Sequence, residues 1–339
     1  MQSASGYPED ETAPPETGIS SSPYPPVIFA PDDKTVVPNS LEYGTNSYTY
    51  VAKDTPTSLA CRQQIIAALQ LRCQTNEQLT HRKIVLPAQP TSDNAQTRLP
   101  ADYMSSGTPD PARHDSRAAI AIDCEMVGVA VGSTSYFDRV DIGDTNPSRD
   151  RSELVEVCAV DAITGEILIN QLVQPAGRVV DWRTEFSGAS EAKLLQAQTR
   201  GTVLPHWRDA RALLLQYMDA ETVLVGHSIQ SDLRVLRLAH GRIVDTSIQT
   251  AAAVFGDVRR VIFPRIWGLR HLALRLLGKR IRDNGGESSP AKTSHDCVED
   301  TMMTRELAFW CILNPDELAV WAREMRQNMA AKNAASQAK

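Results

Sequence analysis

The 339-residue chain contains no C-x-x-C pair: its six cysteines (Cys61, Cys73, Cys124, Cys158, Cys297 and Cys311) are scattered. That excludes a zinc ribbon and a dithiol redox motif, and sparse, unpatterned thiols fit a reduced, intracellular setting. No apolar run approaches the ~20 residues that span a bilayer, so no membrane partner is expected. The N-terminus, MQSASGYPEDETAPPE, lacks the basic and apolar regions of a secretory leader and the Arg-rich character of a mitochondrial presequence. Aromatic residues make up only 6% of the chain, and the net charge of −6 gives no overall bias toward polyanions, although local distribution can override the total. No internal repeat is evident.

What is present is unevenly placed. Of the 20 prolines, 14 fall before residue 116, whereas all five tryptophans fall after residue 180. Residues 1–58 are rich in Pro, Ser, Thr and acid and have no sustained apolar period, so they are expected to stay disordered. Residues 59–86 place Ile65, Ile66, Leu69 and Cys73 at helical spacing and read as one short helical segment docked on the globular domain. Residues 87–116 return to linker composition. The globular domain is expected over 117–313, with a helix and tail over 314–339.

Inside that domain, RAAIAIDCEMVG, ELVEVCAVD and GEILINQLVQP read as three strands, the last two joined at Ile163-Thr164-Gly165. A helix around WRDARALLLQYM, the buried strand TVLVG, a helix around QSDLRVLRLAH and the strand IVDTS follow. Helices are expected around Leu269–Leu277 and Asp296–Ile312. Three early strands followed by alternating helices and strands predict an α/β fold, a mixed sheet covered by helices.

Three strings carry chemistry. Asp123 and Glu125 end the first strand and project from one face, with Cys124 on the other. Paired carboxylates repel unless protonated or held by a cation, and hard oxygen donors suit Mg²⁺ or Mn²⁺. Alone, D-x-E more often marks a solvated strand end. The second string, Gly226-His227-Ser228-Ile229-Gln230-Ser231-Asp232, follows TVLVG at the carboxyl end of a strand, where α/β sheets collect ligands. Asp232 also suits the first turn of an ordinary helix, and His227 reads as a turn-satisfying residue. In the third string, Ser294-His295-Asp296-Cys297-Val298-Glu299-Asp300, Asp296 and Glu299 have capping-box spacing. That makes His295 and Asp300 the N′ and N4 positions, which meet in space at a helix start. A polar helix entry and a functional base–carboxylate pair fit this string equally well.

Together, IDCEMVG, DWRTEFSGAS, LVGHSIQSDLRVL, VDTS, LRHLALRLLGKRI and SHDCVEDTMMTREL resemble the motifs of the DEDDh 3′→5′ exonucleases, on an RNase H-like fold. The wording is similar to the eukaryotic RNA exonuclease group that includes the interferon-stimulated exonucleases and the RNA exonuclease 4 branch. The resemblance covers about residues 117–313. Two departures stand out: Trp182 replaces a common Tyr, and a longer segment separates Val129 from Arg151, read as a surface loop.

The resemblance implies a 3′→5′ exoribonuclease acting on single-stranded RNA ends and releasing nucleoside 5′-monophosphates. It implies two divalent cations, Mg²⁺ or Mn²⁺, held by Asp123, Glu125, Asp232 and Asp300, with His295 as general base. Met126 and Arg183 align with positions near the terminal nucleotide, Arg183 at the ribose 2′-OH. Eleven Lys/Arg lie between Arg234 and Arg282 against two Asp, a stripe suited to a phosphate backbone as well as to solvated helix faces. A DNA-preferring exonuclease and an inert RNA- or protein-binding module are the alternatives. The family association is nuclear or nucleolar, but no basic cluster supports import, and a cytoplasmic location is equally compatible with the chain.

Overall fold

The computed structural model describes residues 39–43, 46–51, 56–88, 99–109, 115–130, 151–256, 260–282 and 295–337. It opens with a hairpin, β1 (Asn39–Tyr43) and β2 (Asn46–Val51), helices α1 (Pro56–Leu71) and α2 (Asn76–His81), and the short strand β3 (Met104–Ser105). Strands β4 (Ala119–Val129), β5 (Arg151–Asp161), β6 (Ile167–Val173) and β7 (Val179–Asp181) come next, then α3 (Thr184–Ser187) and α4 (Glu191–Thr199). Elements then alternate: β8 (Val203–Leu204), α5 (Trp207–Tyr217), β9 (Val223–Gly226), α6 (Gln230–Leu236), β10 (Leu238–Ala239), β11 (Ile243–Asp245) and α7 (Thr246–Phe255). Helix α8 (Leu269–Leu272) runs into a π-helical turn, Ala273–Leu277, and α9 (Cys297–Leu313) and α10 (Pro315–Gln337) close the chain.

The main sheet has the order β11-β9-β4-β5-β6-β8, with β7 beside the end of β4. Strands β4, β5 and β6 form an antiparallel meander, whereas β9 and β11 run parallel to β4. This is the expected mixed sheet flanked by helices. The β5–β6 turn is built by Asp161, whose carboxylate accepts from the backbone N–H groups of Ile163 and Thr164 at 2.8 and 3.0 Å, with Gly165 at φ 80°. Among the described residues, no helix is long and apolar enough to cross a membrane.

Strand alternation divides the core. Ile120, Ile122 and Cys124 of β4 pack with Val157 and Ala159 of β5 against Trp207 and Leu214 of α5 and Leu233 and Leu236 of α6. The opposite face puts Ala119 and Ala121 under α1 and α9, through Ile65, Leu69, Ala308 and Phe309. Cys158 and Val160 there meet Cys297, Val298 and Met302 of α9. Full burial of each Val, Leu, Ile, Phe or Met among them stabilises by roughly 1.5–3 kcal/mol.

The N-terminal region departs from expectation. Residues 39–51, expected to belong to a disordered extension, contain a hairpin whose Tyr48 is fully buried against α9 and the π-helical turn. The hairpin lacks an apolar period of its own because its stability is tertiary: one or two tyrosines suffice once a helix is there to receive them. Residues 1–38, 44–45 and 52–55 of that extension lie outside the described residues. The single helical segment expected over 59–86 is two helices, since Thr75 closes a complete capping box with Gln78 and starts α2 afresh. Within the expected linker, β3 pairs with β10 and Ser106 Oγ lies 2.8 Å from Nδ1 of the buried His240. The Val129–Arg151 connection is closed at its base by the pairing of those two residues, and 131–150 lie outside the described residues.

Candidate active site

Asp123 and Glu125 share the α9 face of β4, and Cys124 points into the opposite core, as the period of two requires. Their cross-strand neighbours are Cys158 and Glu156, and a register shift after Glu125 re-aims Met126 toward Leu154. Glu156 places a third carboxylate beside Glu125 and is itself held by Lys193 Nζ at 2.7 Å. Sequence reasoning missed Glu156; the one charge inside the apolar run LVEVCAV was its signal.

Asp232 is delivered by a clamped turn. Gly226 ends β9 where a Cβ would lie 2.6 Å from Ile229 Cβ, so only glycine lets the chain turn there. Ser228 then adopts φ 59°, a left-handed conformation costly for a side-chain-bearing residue. The carboxylate of Asp245, in the VDTS string, accepts from Ser228 N–H (2.9 Å), Ile229 N–H (3.2 Å), Ser247 N–H (2.9 Å) and Ser247 Oγ (2.7 Å). One buried group thus caps α7 and fixes the first turn of α6, which carries Asp232. Asp245→Ala should destabilise the fold by about 3 kcal/mol, because four donors lose a charged acceptor in a dry site; a urea unfolding midpoint measures it. His227 sits in the same turn with Nδ1 2.9 Å from Thr246 Oγ1, whose hydroxyl donates to the Gly226 carbonyl at 3.1 Å, so it reaches the turn backbone through a threonine and not directly.

At the start of α9, Asp296 caps the helix by accepting from the N–H groups of Val298 and Glu299, both at 3.0 Å. His295 and Asp300 do meet: His295 Nδ1 lies 3.1 Å from Asp300 Oδ2 and 3.7 Å from Glu125 Oε1. The backbone N–H of His295 donates to the carbonyl of Phe186 at 3.1 Å, tying α9 to α3. The Cys297 thiol, 3.3 Å from the carbonyl oxygen of Asp123, holds the helix start to the D-x-E strand. Glu299 does not close the capping box. Its carboxylate accepts instead from Arg282 N–H at 2.9 Å and Asn46 Nδ2 at 3.1 Å. Arg282 in turn places Nη2 2.7 Å from Asp300 Oδ2.

The four carboxylates crowd one another. Burial, then Asp232, Asp300 and Glu125, pushes the Asp123 carboxyl well above the usual range, with Arg282 opposing. Glu125 is pushed up to about 9 by burial, then by Asp300 and Glu156. Asp232 rises to about 8 through burial, with hydrogen bonds from its own amide and Cys124 pulling back. Glu125, His295 and Asp300 offer ligand atoms within 4.8 Å of one another, and the buried atoms Glu125 Oε1 and Asp300 Oδ1 have no hydrogen-bond partner. Hard, crowded, partly unsatisfied oxygens fit a divalent cation such as Mg²⁺ or Mn²⁺.

A cation held there would compete with protons. The raised carboxyls hold protons near neutrality that a metal would have to displace, so any affinity should climb about tenfold per pH unit for each proton displaced, up to about pH 8–9. The metal-free fold should behave oppositely. Glu125 keeps its proton when folded while the unfolded chain releases it near 4.5, so this contribution to stability is lost as pH rises toward about 9. Mn²⁺ titrations at pH 6, 7 and 8 in buffers of different ionisation enthalpy measure the first effect, and urea midpoints in EDTA measure the second. A flat affinity profile would contradict the proton competition.

Arg183 and Met126 are not among the side chains of this cluster. Arg183 takes φ 49° before α3 and donates from Nη1 to Ser152 Oγ at 2.8 Å, with Nε 3.8 Å from Asp181 Oδ2. It stands three residues before Phe186, whose carbonyl holds His295. Met126 packs partly buried at the edge of the α5–α6 core.

The chain matches the exonuclease (RNase_T) family model over residues 120–307. It is 26% identical over 212 residues to RNA exonuclease 3 of Candida albicans, covering 62% of this chain and 42% of that protein. It is 34% identical over 203 residues to RNA exonuclease 1 homolog of Homo sapiens, covering 54% of this chain and 16% of that protein. The chain thus spans less than half the length of either relative. The pseudoubiquitin hydrolase–RNA exonuclease module of Saccharomyces cerevisiae Pan2, in complex with AACCAA RNA, is 19% identical, with a TM-score of 0.48 over 69% of this chain and 36% of that one. With the family match extending over more than half its length, from the D-x-E strand to the helix that carries Asp300, this chain belongs to the exonuclease (RNase_T) family.

Proposed function

We propose that the chain is a DEDDh-type 3′→5′ exoribonuclease that shortens single-stranded RNA and releases nucleoside 5′-monophosphates. The observation that carries this reading is the convergence of Asp123, Glu125, Asp232 and Asp300 with His295 at one end of the sheet. RNA, rather than DNA, is supported by the names of the relatives, RNA exonuclease 3 and 1. The narrower likeness to the interferon-stimulated and RNA exonuclease 4 branch rests on the wording of IDCEMVG and the accompanying strings.

Asp123, Glu125 and Asp300 would hold one divalent cation, and Asp123 with Asp232 would reach a second. Bound there, the two ions supply a nucleophile at neutral pH and offset charge on the attacking and leaving oxygens. His295 removes the proton of the attacking water. An imidazole protonated at Nδ1, the nitrogen facing Glu125 and Asp300, keeps Nε2 as its basic atom. The Phe186 carbonyl and the Asp296 cap fix where that ring stands. Arg265 and Arg275, exposed on the stretch before Gly278, offer positive charge to the RNA backbone, while burial and these two arginines hold His271 toward its neutral form.

The test is degradation of 5′- and 3′-labelled and 3′-blocked oligonucleotides, RNA and DNA, with Mg²⁺, Mn²⁺ or EDTA. Loss of nucleotides from free RNA 3′ ends, abolished by EDTA, is expected. Preference for DNA, or binding without turnover, overturns the reading. Arg183→Ala should slow RNA turnover about tenfold more than DNA turnover, because only RNA offers the 2′-OH. Equal losses on both substrates would assign Arg183 to phosphate holding.

A further inference from the structure

The family match begins at residue 120, yet the hairpin β1–β2, far upstream, reaches α9, the helix that carries Asp300 and is preceded by His295. Its Asn46 is buried and donates through Nδ2 to Glu299 Oε1 at 3.1 Å and to the Arg280 carbonyl at 2.9 Å. The other oxygen of Glu299 accepts from the Arg282 N–H at 2.9 Å. Arg282 stands at φ 65°, a strained conformation for a bulky residue, with its guanidinium 2.7 Å from Asp300 Oδ2. Tyr43 adds a second tether from the same hairpin, its hydroxyl 3.2 Å from Asp296 Oδ1.

Each link leaves the next with one committed face. Asn46 and Arg282 use both oxygens of Glu299, so that side chain cannot swing back to close the capping box. Arg282, fixed through its backbone, takes one oxygen of the almost fully buried Asp300. The other, Oδ1, has no hydrogen-bond partner and is the atom left for a cation. Partners behind a ligand orient it without touching the metal, and losing one typically costs about 10–100-fold in metal affinity.

We infer that Asn46 and Arg282 are positioning residues: a hydrogen-bond relay, Asn46–Glu299–Arg282–Asp300, runs from the N-terminal hairpin and aims Asp300 at the metal. This rests on the reading of the site as a divalent-metal centre. It makes the hairpin part of the working active site, although the hairpin lies outside the family domain.

The test is a double-mutant cycle on the full chain without RNA, following free Mn²⁺ by electron paramagnetic resonance. Arg282→Gln should weaken Mn²⁺ binding about 10–100-fold, and Asn46→Ala by a smaller factor of about fivefold. The double variant should bind within about twofold of Arg282→Gln alone, because the distal link has nothing left to act through. Asn46→Asp, which turns a carboxylate on Glu299 and on the Arg280 carbonyl, should exceed Asn46→Ala. Unchanged affinity in Asn46→Ala with a lowered melting temperature would reduce the hairpin to a structural brace and overturn the relay. Effects that multiply would overturn it too, as would tighter binding in Arg282→Gln, the result simple charge repulsion requires. The readout needs no turnover, so a chain that shows the coupling but digests no RNA sinks the exonuclease reading and leaves the relay standing. One that digests RNA without the coupling does the reverse, and a wild type with no Mn²⁺ affinity sinks both.

Discussion

Asp123→Asn should reduce RNA hydrolysis by at least about 10³-fold, the scale on which removal of a central charge-stabilising group is felt. Asp123 is the carboxylate on which Asp232, Asp300 and Glu125 all act, so it lies between the groups assigned to the two cations. The amide keeps the shape of the side chain and its place on β4 while removing the charge. Relief of like-charge crowding should leave the metal-free protein as stable as wild type, or slightly more so. Single-turnover digestion of labelled RNA, beside a urea titration in EDTA, separates lost chemistry from lost fold. Undiminished turnover in the variant would remove Asp123 from the mechanism.

The second large effect divides two residues that touch. His295 Nδ1 lies 3.1 Å from Asp300 Oδ2, and both belong to the group of atoms able to surround an ion, so geometry alone allows His295 to be a ligand. As a general base it contributes rate and not affinity. His295→Ala should then lower single-turnover rates about 10²–10⁴-fold while Mn²⁺ affinity stays near wild type. Asp300→Asn should lose affinity and rate together. If His295→Ala loses metal as severely as Asp300→Asn, the histidine is a ligand and the base lies elsewhere.

These pairings were legible to different degrees, for physical reasons. Strand period two puts Asp123 and Glu125 on one face, and helix-start geometry brings N′ and N4 together, so the meeting of His295 with Asp300 follows from four intervening residues. Such relations are local. The use of Glu299 is not: its spacing to Asp296 predicts a closed box, but Asn46 and Arg282, distant in sequence, claim both oxygens. Arg282 merged with a stripe of basic residues, because nothing in its neighbours marks it as the one facing a buried carboxylate. Asp245 stood inside a recognised string without a role, since its four donors come from two elements that only the folded sheet brings together.

Helix α1 carries a practical consequence for anyone expressing a shorter version of this chain. Cys61, Ile65, Ala68 and Leu69 cover Ala119, Ala121, Val223, Val225 and Val244, together with Ala308 and Phe309. A fragment cut to residues 117–313 would retain every recognisable motif and α9, yet uncover the part of that surface which α1 shields. It would also lose Trp321 of α10, packed edge-on against Trp267 with ring centroids 5.3 Å apart. Contiguous apolar surface of this kind drives self-association. Such a fragment should collect in inclusion bodies, and limited proteolysis of the whole chain should spare α1 until the sheet itself gives way.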